Sequence, residues 1–502
     1  MTRRRTAARA LIALTSLTGV ACLAAAPAAA MPDTAAPAPP TGIHVTKISS
    51  SSFTVAVHTA AHAKKYRVYV ATTRKALAVA NLGHDTVMSA SKHPRITVKG
   101  LRYRISPYYY RVETLNGARR KFSLPAASIG LRPAMPTGLA ATSNSHGTSL
   151  TWNSVNATGF TVEQATDAGM TQNVKKYRII GQENQFTPYG LTDGSTYYFR
   201  VRSMNSGTPS AYAAPVTATV TTNEQPVSVM TYNVLEAADD GRSEGGSTVA
   251  PWSERGPVAA SLIQQANPDV IGAQEAASWV GVPTPARQID SLTAMLGGEY
   301  SLADTEIPPG QPHHLRTGVY ILYKSDTYQA VGQGGHWDIG NTRWAAYQVL
   351  QNRSTGAKFL FVSAHLAFPA GAAADRQRET ETNNLLSDAG REANGLPIVY
   401  VGDFNSDQWA GHAFNGPAIA MRAASVDDAY DVAQTRVHAR YNTADGYRRT
   451  PPMNGGRIDY VFAQRGVAAT SWDLVMDLSH GKFVGTIPSD HNPLVSNLLF
   501  PY

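Results

Sequence analysis

Along residues 226–502 seven short polar signatures recur, most of them where an apolar run ends in a carboxylate, an amide or an imidazole. In chain order the endings are Met230-Thr231-Tyr232-Asn233, Asp269-Val270-Ile271-Gly272-Ala273-Gln274-Glu275, Arg343-Trp344, Ser363-Ala364-His365-Leu366, Val401-Gly402-Asp403-Phe404-Asn405-Ser406, Arg457-Ile458-Asp459-Tyr460-Val461-Phe462 and Ser489-Asp490-His491-Asn492-Pro493. Apolar runs of this length form strands buried on both faces. Helical segments spaced between them turn that pattern into a mixed α/β sandwich. Strands are predicted at 227–234, 269–273, 318–323, 359–364, 398–402, 458–463 and 493–500, with helices near 256–266, 285–296 and 374–386. Polar endings on so many strands collect into one rim. Carboxylate oxygens in such a rim select a hard cation such as Mg²⁺, and two histidines beside it suit chemistry at phosphorus.

A chain of 502 residues is too long for one ordinary core, so two to four domains are expected. Hydrophobic content of 43% and charged content of 16% describe a globular chain and exclude a disordered one. Arg3, Arg4, Arg5 and Arg9, the apolar stretch 10–23 and Ala28-Ala29-Ala30 read as a secretory signal over residues 1–30, implying a secreted, extracellular protein. Two variants stay open: a lipidated Cys22, against which Gly19 stands, and a twin-arginine signal at Arg3-Arg4. No later run is long enough to span a bilayer as a helix. Cys22 is the sole cysteine, so a mature chain without it has no disulfide, thiolate metal site or cysteine nucleophile.

The net charge of +8 hides an asymmetry. Residues 225–502 carry 19 Lys+Arg against 28 Asp+Glu, or −9, whereas residues 32–134 carry 16 against 3, or +13. Residues 135–222 are near balance, with 5 against 4. A basic module therefore precedes an acidic one, and the basic module suits a polyanion such as DNA or an anionic cell-wall polymer.

After an Ala/Pro-rich lead-in at 32–40, two segments of about 90 residues repeat one another. The first has Gly100-Leu101, Tyr108-Tyr109-Tyr110-Arg111-Val112 and Asn116; the second has Gly190-Leu191, Tyr197-Tyr198-Phe199-Arg200-Val201 and Asn205. Alternating strands with turn residues between them fit β-sandwiches. Trp152 sits where a sandwich needs a bulky core residue. Both segments, 37–134 and 135–222, resemble fibronectin type III domains. The resemblance implies that Tyr197, and less closely Tyr108, bonds back to the backbone at a corner. The first copy has Val55 where the family's tryptophan aligns. Residues 221–226 read as a linker.

The seven endings, in this order over 226–502, resemble the endonuclease/exonuclease/phosphatase superfamily, which includes deoxyribonuclease-like, abasic-endonuclease-like and sphingomyelinase-like enzymes. The resemblance implies a four-layer α/β sandwich and a site residue by residue. Glu275 would bind a divalent cation, Mg²⁺ with Mn²⁺ or Ca²⁺ as substitutes, and Asn233 and Asp490 would lie in the same metal group. Asp403 would orient and deprotonate the attacking water, and Asn405 would hold that water or a phosphate oxygen. Asp459 would pair with His491 to fix its tautomer, His365 would sit across the scissile phosphate, and Arg343 would meet substrate phosphate. Pancreatic-deoxyribonuclease-like members place a glutamate directly after that arginine; Trp344 stands here, so His365 lacks its usual partner. Trp252-x-x-Arg255 and Arg376-x-x-Glu379 look more like the broader hydrolase branch.

The expected activity is a secreted, Mg²⁺-dependent phosphodiesterase on DNA or RNA. Hydrolysis of phospholipid head groups or phosphomonoesters uses the same chemistry and stays open, as does polyanion binding through the basic module. Substrate choice is assigned to loops such as 308–316 and 441–454, the second carrying Arg448 and Arg449 beside Arg440.

Overall fold

The computed structural model describes residues 35–502 apart from 83–85, 105–106, 124–126, 154, 282–285, 305–317, 369–370 and 408–413. The signal-like segment and the 308–316 loop lie outside the described residues.

Two β-sandwiches come first. One faces the strands His44–Ile48, Phe53–Ala56 and Arg95–Val98 against a sheet built on Lys65–Ala71 and Tyr108–Asn116. Val55, Val68, Ile96 and Val112 fill it. The other faces Thr137–Asn144, Gly147–Asn153 and Gln185–Phe186 against a sheet built on Gly159–Ala165 and Thr196–Asn205. Its core holds Trp152 against Phe160, with ring centroids 5.2 Å apart. Both tyrosine corners form: Tyr108 donates to the Arg102 carbonyl at 2.8 Å, and the Tyr197 hydroxyl accepts from the Thr192 amide at 3.2 Å.

Residues from Glu224 onward form two packed sheets. The first runs Tyr300–Leu302, Tyr320–Lys324, Val270–Gln274, Glu224–Asn233, Leu494–Pro501, Ser471–Leu474, Thr435–Val437. The second runs Tyr328–Gly340, Arg343–Asn352, Lys358–His365, Ile398–Asp403, Asp459–Gln464, Val426–Asp428. Successive side chains on a strand face opposite ways. Val229, Val270, Phe361, Val399 and Val461 therefore meet between the sheets. Met230, Ile271, Leu360, Val362 and Tyr400, each one position along, face outward. The helices Trp252–Ala266 and Gln288–Met295 cover the first sheet, and Ala372–Ala393 and Gly416–Ala423 cover the second. This is the expected four-layer α/β sandwich. At Gly272 the sheets leave no room for a side chain: a Cβ there would stand 2.4 Å from Val401 Cγ2 and 2.8 Å from Ser363 Oγ.

Two sequence expectations shift. The stretch read as a linker is already strand from Glu224, because Glu224–Asn233 pairs along Leu494–Pro501 as far as Pro501. The long hairpin Tyr328–Gly340/Arg343–Asn352 was not anticipated at all. Its polar, glycine-containing first strand hides the alternation.

The second sandwich is docked on the α/β domain. Their buried residues form one continuous cluster. Gln185 Nε2 donates to Asp427 at 2.6 Å, Arg465 Nε to Gln185 at 2.7 Å, Arg422 Nη2 to Glu183 at 2.8 Å, and the Gly466 amide to Thr187 Oγ1 at 3.1 Å.

Candidate active site

The inner-face parity that buries Val229, Phe361, Val399 and Val461 carries to the strand ends at 233, 365, 403 and 459 (positions two apart share a face). A layer of buried polar side chains caps the apolar core below them. Thr231 Oγ1 donates to Gln274 Oε1 at 3.1 Å, and Gln274 Nε2 donates across the sheets to Ser363 Oγ at 3.1 Å. Strand registry then aligns the rim: His365 pairs with Asp403, Asp403 with Asp459, and Asn233 with Gln274.

The geometry is tight. Asn233 Nδ2 donates to Glu275 Oε1 at 3.0 Å and to Asp403 Oδ2 at 3.2 Å, while its Oδ1 accepts from the Leu235 amide at 3.1 Å. His365 Nε2 lies 3.6 Å from Asp403 Oδ2 and 3.9 Å from Glu275 Oε1. His491 Nε2 approaches the same Asp403 oxygen from the other side, at 3.7 Å. Its Nδ1 meets Asp459 at 2.9 and 3.0 Å. Asp403 Oδ1 accepts from the Asn405 amide at 2.9 Å, and Asn405 Nδ2 donates to the Leu366 carbonyl at 3.1 Å. Glu275 and Asn405 both hold left-handed backbone conformations, with φ of 56° and 49°. Such φ is uncommon for a non-glycine residue, and least so for asparagine. A cavity of about 510 Å³ opens over the cluster, lined also by Arg343, Asp490, Arg242 and Phe368. Every residue expected at the site except Asn233 and Asp459 reaches that cavity wall, and those two stand directly behind it.

Burial and charge set the protonation states. Burial raises Asp403, an effect that Asp459 reinforces and the two histidines oppose. Burial lowers His365, only partly offset by Asp403 and Glu275. For His491 burial also works downward, but Asp459, Asp403 and Asp490 overcome it and hold the imidazole well above its usual range. Burial raises Asp490 to about 6, with Glu275 adding to it. Burial works to raise Glu275 too, but His365 and the Asn233 hydrogen bond leave it lowered.

Arg255 and Ser489 belong to motifs visible in the sequence, but their supporting contacts, and Thr443 altogether, carried no sequence signal. Arg255, fully buried, donates to the Val234, Leu235 and Pro488 carbonyls at 2.9–3.2 Å, tying the loop after Asn233 to the loop before Ser489. Ser489 Oγ donates to the Asn233 carbonyl at 2.7 Å. Thr443 Oγ1 accepts from the Ile458 and Asp459 amides at 3.0 and 3.1 Å. Past His365, the inward-facing pair is Arg378 and Glu381, two positions beyond the Arg376-x-x-Glu379 pattern; Arg376 is exposed. In place of a glutamate after Arg343, the carboxylates facing His365 are Glu275 and Asp403.

Two histidines and three carboxylates around one pocket, at the ends of two packed sheets, define a phosphoesterase-type site. Residues 230–491, just over half of the chain, match the model of the Endonuclease/Exonuclease/phosphatase family, and the chain belongs to that family. It is thus a member of a hydrolase family acting on phosphoester bonds, a family that generally works with divalent metal ions. A comparison with curated proteins gave no match. Among solved structures, a member of the same family from Bacteroides thetaiotaomicron is 21% identical, covering 55% of this chain and 99% of its own at a TM-score of 0.45. The mannosyl-6-phosphatase of Bacteroides thetaiotaomicron VPI-5482 is 20% identical, with 55% and 100% covered at 0.44. The human nocturnin catalytic domain with bound sulfate is 19% identical, with 56% and 96% covered at 0.40.

Proposed function

We propose that this protein is an exported, Mg²⁺-dependent phosphodiesterase that cleaves nucleic acid. The supporting observation is Asp403, buried between two imidazoles at 3.6 and 3.7 Å, with a second carboxylate, Asp459, behind one of them. The donor set fits a hard divalent cation. Glu275, His365 and Asp403 offer ligand atoms all within 4.8 Å of one another, and Asp490 joins them on the same cavity wall. So much carboxylate in a buried pocket asks for positive charge. Glu275 and Asp490 would hold the ion, with Asn233 fixing Glu275 from behind. When bound, the ion would neutralise charge developing on a phosphoryl oxygen.

The chain's own residues supply the rest. Asp403, its carboxyl raised by burial, takes the proton of the attacking water. The Asn405 side chain stands at the pocket wall to place that water or a phosphate oxygen. Asp459 fixes His491 with Nδ1 protonated, so Nε2 points at the reacting phosphate and donates to it. Water's oxygen bonds to phosphorus as the ester P–O bond breaks. The departing oxygen takes its proton from His491, the imidazole held protonated, while neutral His365 donates a hydrogen bond across the phosphate. Arg343 meets a non-bridging oxygen.

The units carrying this reading are 37–134, 135–222 and 226–502. In the first, Glu113 is the sole carboxylate among the described residues; it is fully buried and 3.4 Å from Arg67. Among the described residues its outer surface is therefore basic without an opposing acid, which supports a tether on a polyanion. Deleting residues 35–134 should shift heparin retention to lower salt; unchanged retention removes the tether.

The test of activity is digestion of plasmid DNA, single-stranded DNA and RNA with Mg²⁺ or EDTA, with Asp403→Ala excluding a contaminant. Cation-dependent cleavage lost in the variant upholds the proposal. Cleavage of none of the three, with turnover of a phospholipid head group or a phosphomonoester, overturns it.

A further inference from the structure

The loop after His365 presents a bare aromatic ring to the catalytic cavity. Phe368 leaves 72% of its surface exposed and lines the cavity together with His365, Asp403, Arg343 and Glu275. By contrast, Phe359, Phe361, Phe404, Phe462 and Phe500 of the same domain are all buried. A phenyl ring kept in water forgoes the stabilisation that burial gives.

The backbone directly beneath this ring is fixed. The Leu366 amide donates to the Asp403 carbonyl at 3.0 Å, and the Leu366 carbonyl accepts from Asn405 Nδ2 at 3.1 Å. The Ala367 amide donates to Glu381 Oε2 at 3.0 Å, and the Ala367 carbonyl accepts from Arg378 Nη1 at 2.7 Å. Arg378 and Glu381 are fully buried. Four hydrogen bonds on two residues fix where the chain delivers Phe368 to the cavity wall. It is a platform, held beside the place where phosphate reacts.

The rest of the described cavity wall is largely polar and includes Glu236, Asp239 and Arg242. Among the described residues an acyl chain finds no apolar cleft there. A flat, weakly hydrated ring joined to the phosphate through a short linker fits both the apolar face and the charged floor. A nucleobase is that group. Base–aromatic stacking needs the base unpaired and tolerates any sequence. Resting on the nuclease reading above, we propose that Phe368 stacks an unpaired base next to the scissile phosphate, so that the substrate class is single-stranded or frayed nucleic acid.

The experiment measures kcat and KM with Mg²⁺ on a short oligothymidylate and on a strand of equal length made of tetrahydrofuran abasic residues. The wild type should favour the base-bearing strand through KM. Phe368→Ala should raise KM on oligothymidylate roughly 5- to 150-fold, leave the abasic strand unaffected, and change kcat little. Phe368→Trp should keep the preference. Trp279→Ala removes a ring that is 70% exposed but outside the cavity lining, and should behave as wild type. Wild-type cleavage of both strands alike, or an undiminished preference in Phe368→Ala, overturns this proposal and leaves the nuclease reading standing. A wild type that cleaves neither strand overturns this proposal, and the nuclease reading then stands or falls on plasmid DNA and RNA.

Discussion

The contact between the second sandwich and the catalytic domain buries Glu183, Asp427, Asp428 and Asp431 together, with Arg422, Arg457 and Arg465 around them. Burial, and then the nearby Glu183, push Asp427 up to about 8. Folded, this carboxyl keeps its proton near neutrality; unfolded, with a reference value of 3.8, it does not. The folded value lies above the unfolded one. Its contribution to stability is therefore complete below about pH 4 and is lost as pH rises to about 8. Four units at 1.36 kcal/mol each set a ceiling on the order of 6 kcal/mol. Glu183 and Asp431 titrate in the same network, so one substitution should recover about 2–3 kcal/mol. Asp427→Asn keeps the acceptor for Gln185 and cannot ionise. It should match wild type within about 1 kcal/mol near pH 5, and exceed it by about 2–3 kcal/mol near pH 9. Urea unfolding followed by tryptophan fluorescence reads this on both sides of the contact, because Trp152 and Trp472 are both buried. An offset that does not change with pH, or a wild type that gains stability between those pH values, would refute the reasoning.

Three further outcomes are expected. Asp459→Asn removes the charge that holds His491 protonated and should lower kcat roughly 10²- to 10⁴-fold, with the His491 titration moving down by NMR. Glu275→Gln should weaken Mg²⁺ binding at least about 10-fold by calorimetry, while the melting temperature of the metal-free protein holds. Gly272→Ala places a methyl 2.4 Å from Val401 Cγ2 and should cost about 1–3 kcal/mol, with Val401→Ala restoring part of it.

The polar strand endings were visible in the sequence and the family resemblance implied their roles; strand parity is the physical reason that they converge. A run such as 399–403, whose odd positions face inward, delivers its last inward residue, Asp403, to the gap between the sheets, and the same count works for Asn233, His365 and Asp459. The tyrosine corners and Trp152 were legible for a similar reason: each is a bulky residue at a position the sandwich must fill. Contacts made by loops were not. Thr443 serves Asp459 from a turn 16 residues away, and Arg255 reaches Pro488 across 233. No periodicity links such pairs. The docking contact was equally silent, because Glu183, Gln185 and Asp427 read as ordinary surface polar residues until the two domains meet. The spacing of Arg376-x-x-Glu379 recurs two residues on as Arg378-x-x-Glu381, and only burial in the fold tells the inward pair from the exposed Arg376.

Charge ties the modules into one device on the proposed reading. The catalytic segment carries −9, and its pocket concentrates several of those carboxylates, so a polyanionic substrate is repelled just where it must bind. A bound divalent cation corrects this only locally, since fields in physiological salt fade over about 8 Å. Attraction at longer range has to come from elsewhere in the chain, and the first sandwich, at +13 with its one described carboxylate buried, is the part that can supply it. For that attraction to help catalysis, the basic surface must stay near the pocket. The second sandwich meets this need mechanically. Its core is continuous with that of the catalytic domain, and Asn205 Nδ2 donates to the Arg104 and Leu131 carbonyls of the first sandwich at 3.0 and 2.9 Å. The middle module is thus a strut, and a mutation that loosens its docking should weaken substrate capture at low salt while leaving kcat on a short, saturating substrate unchanged.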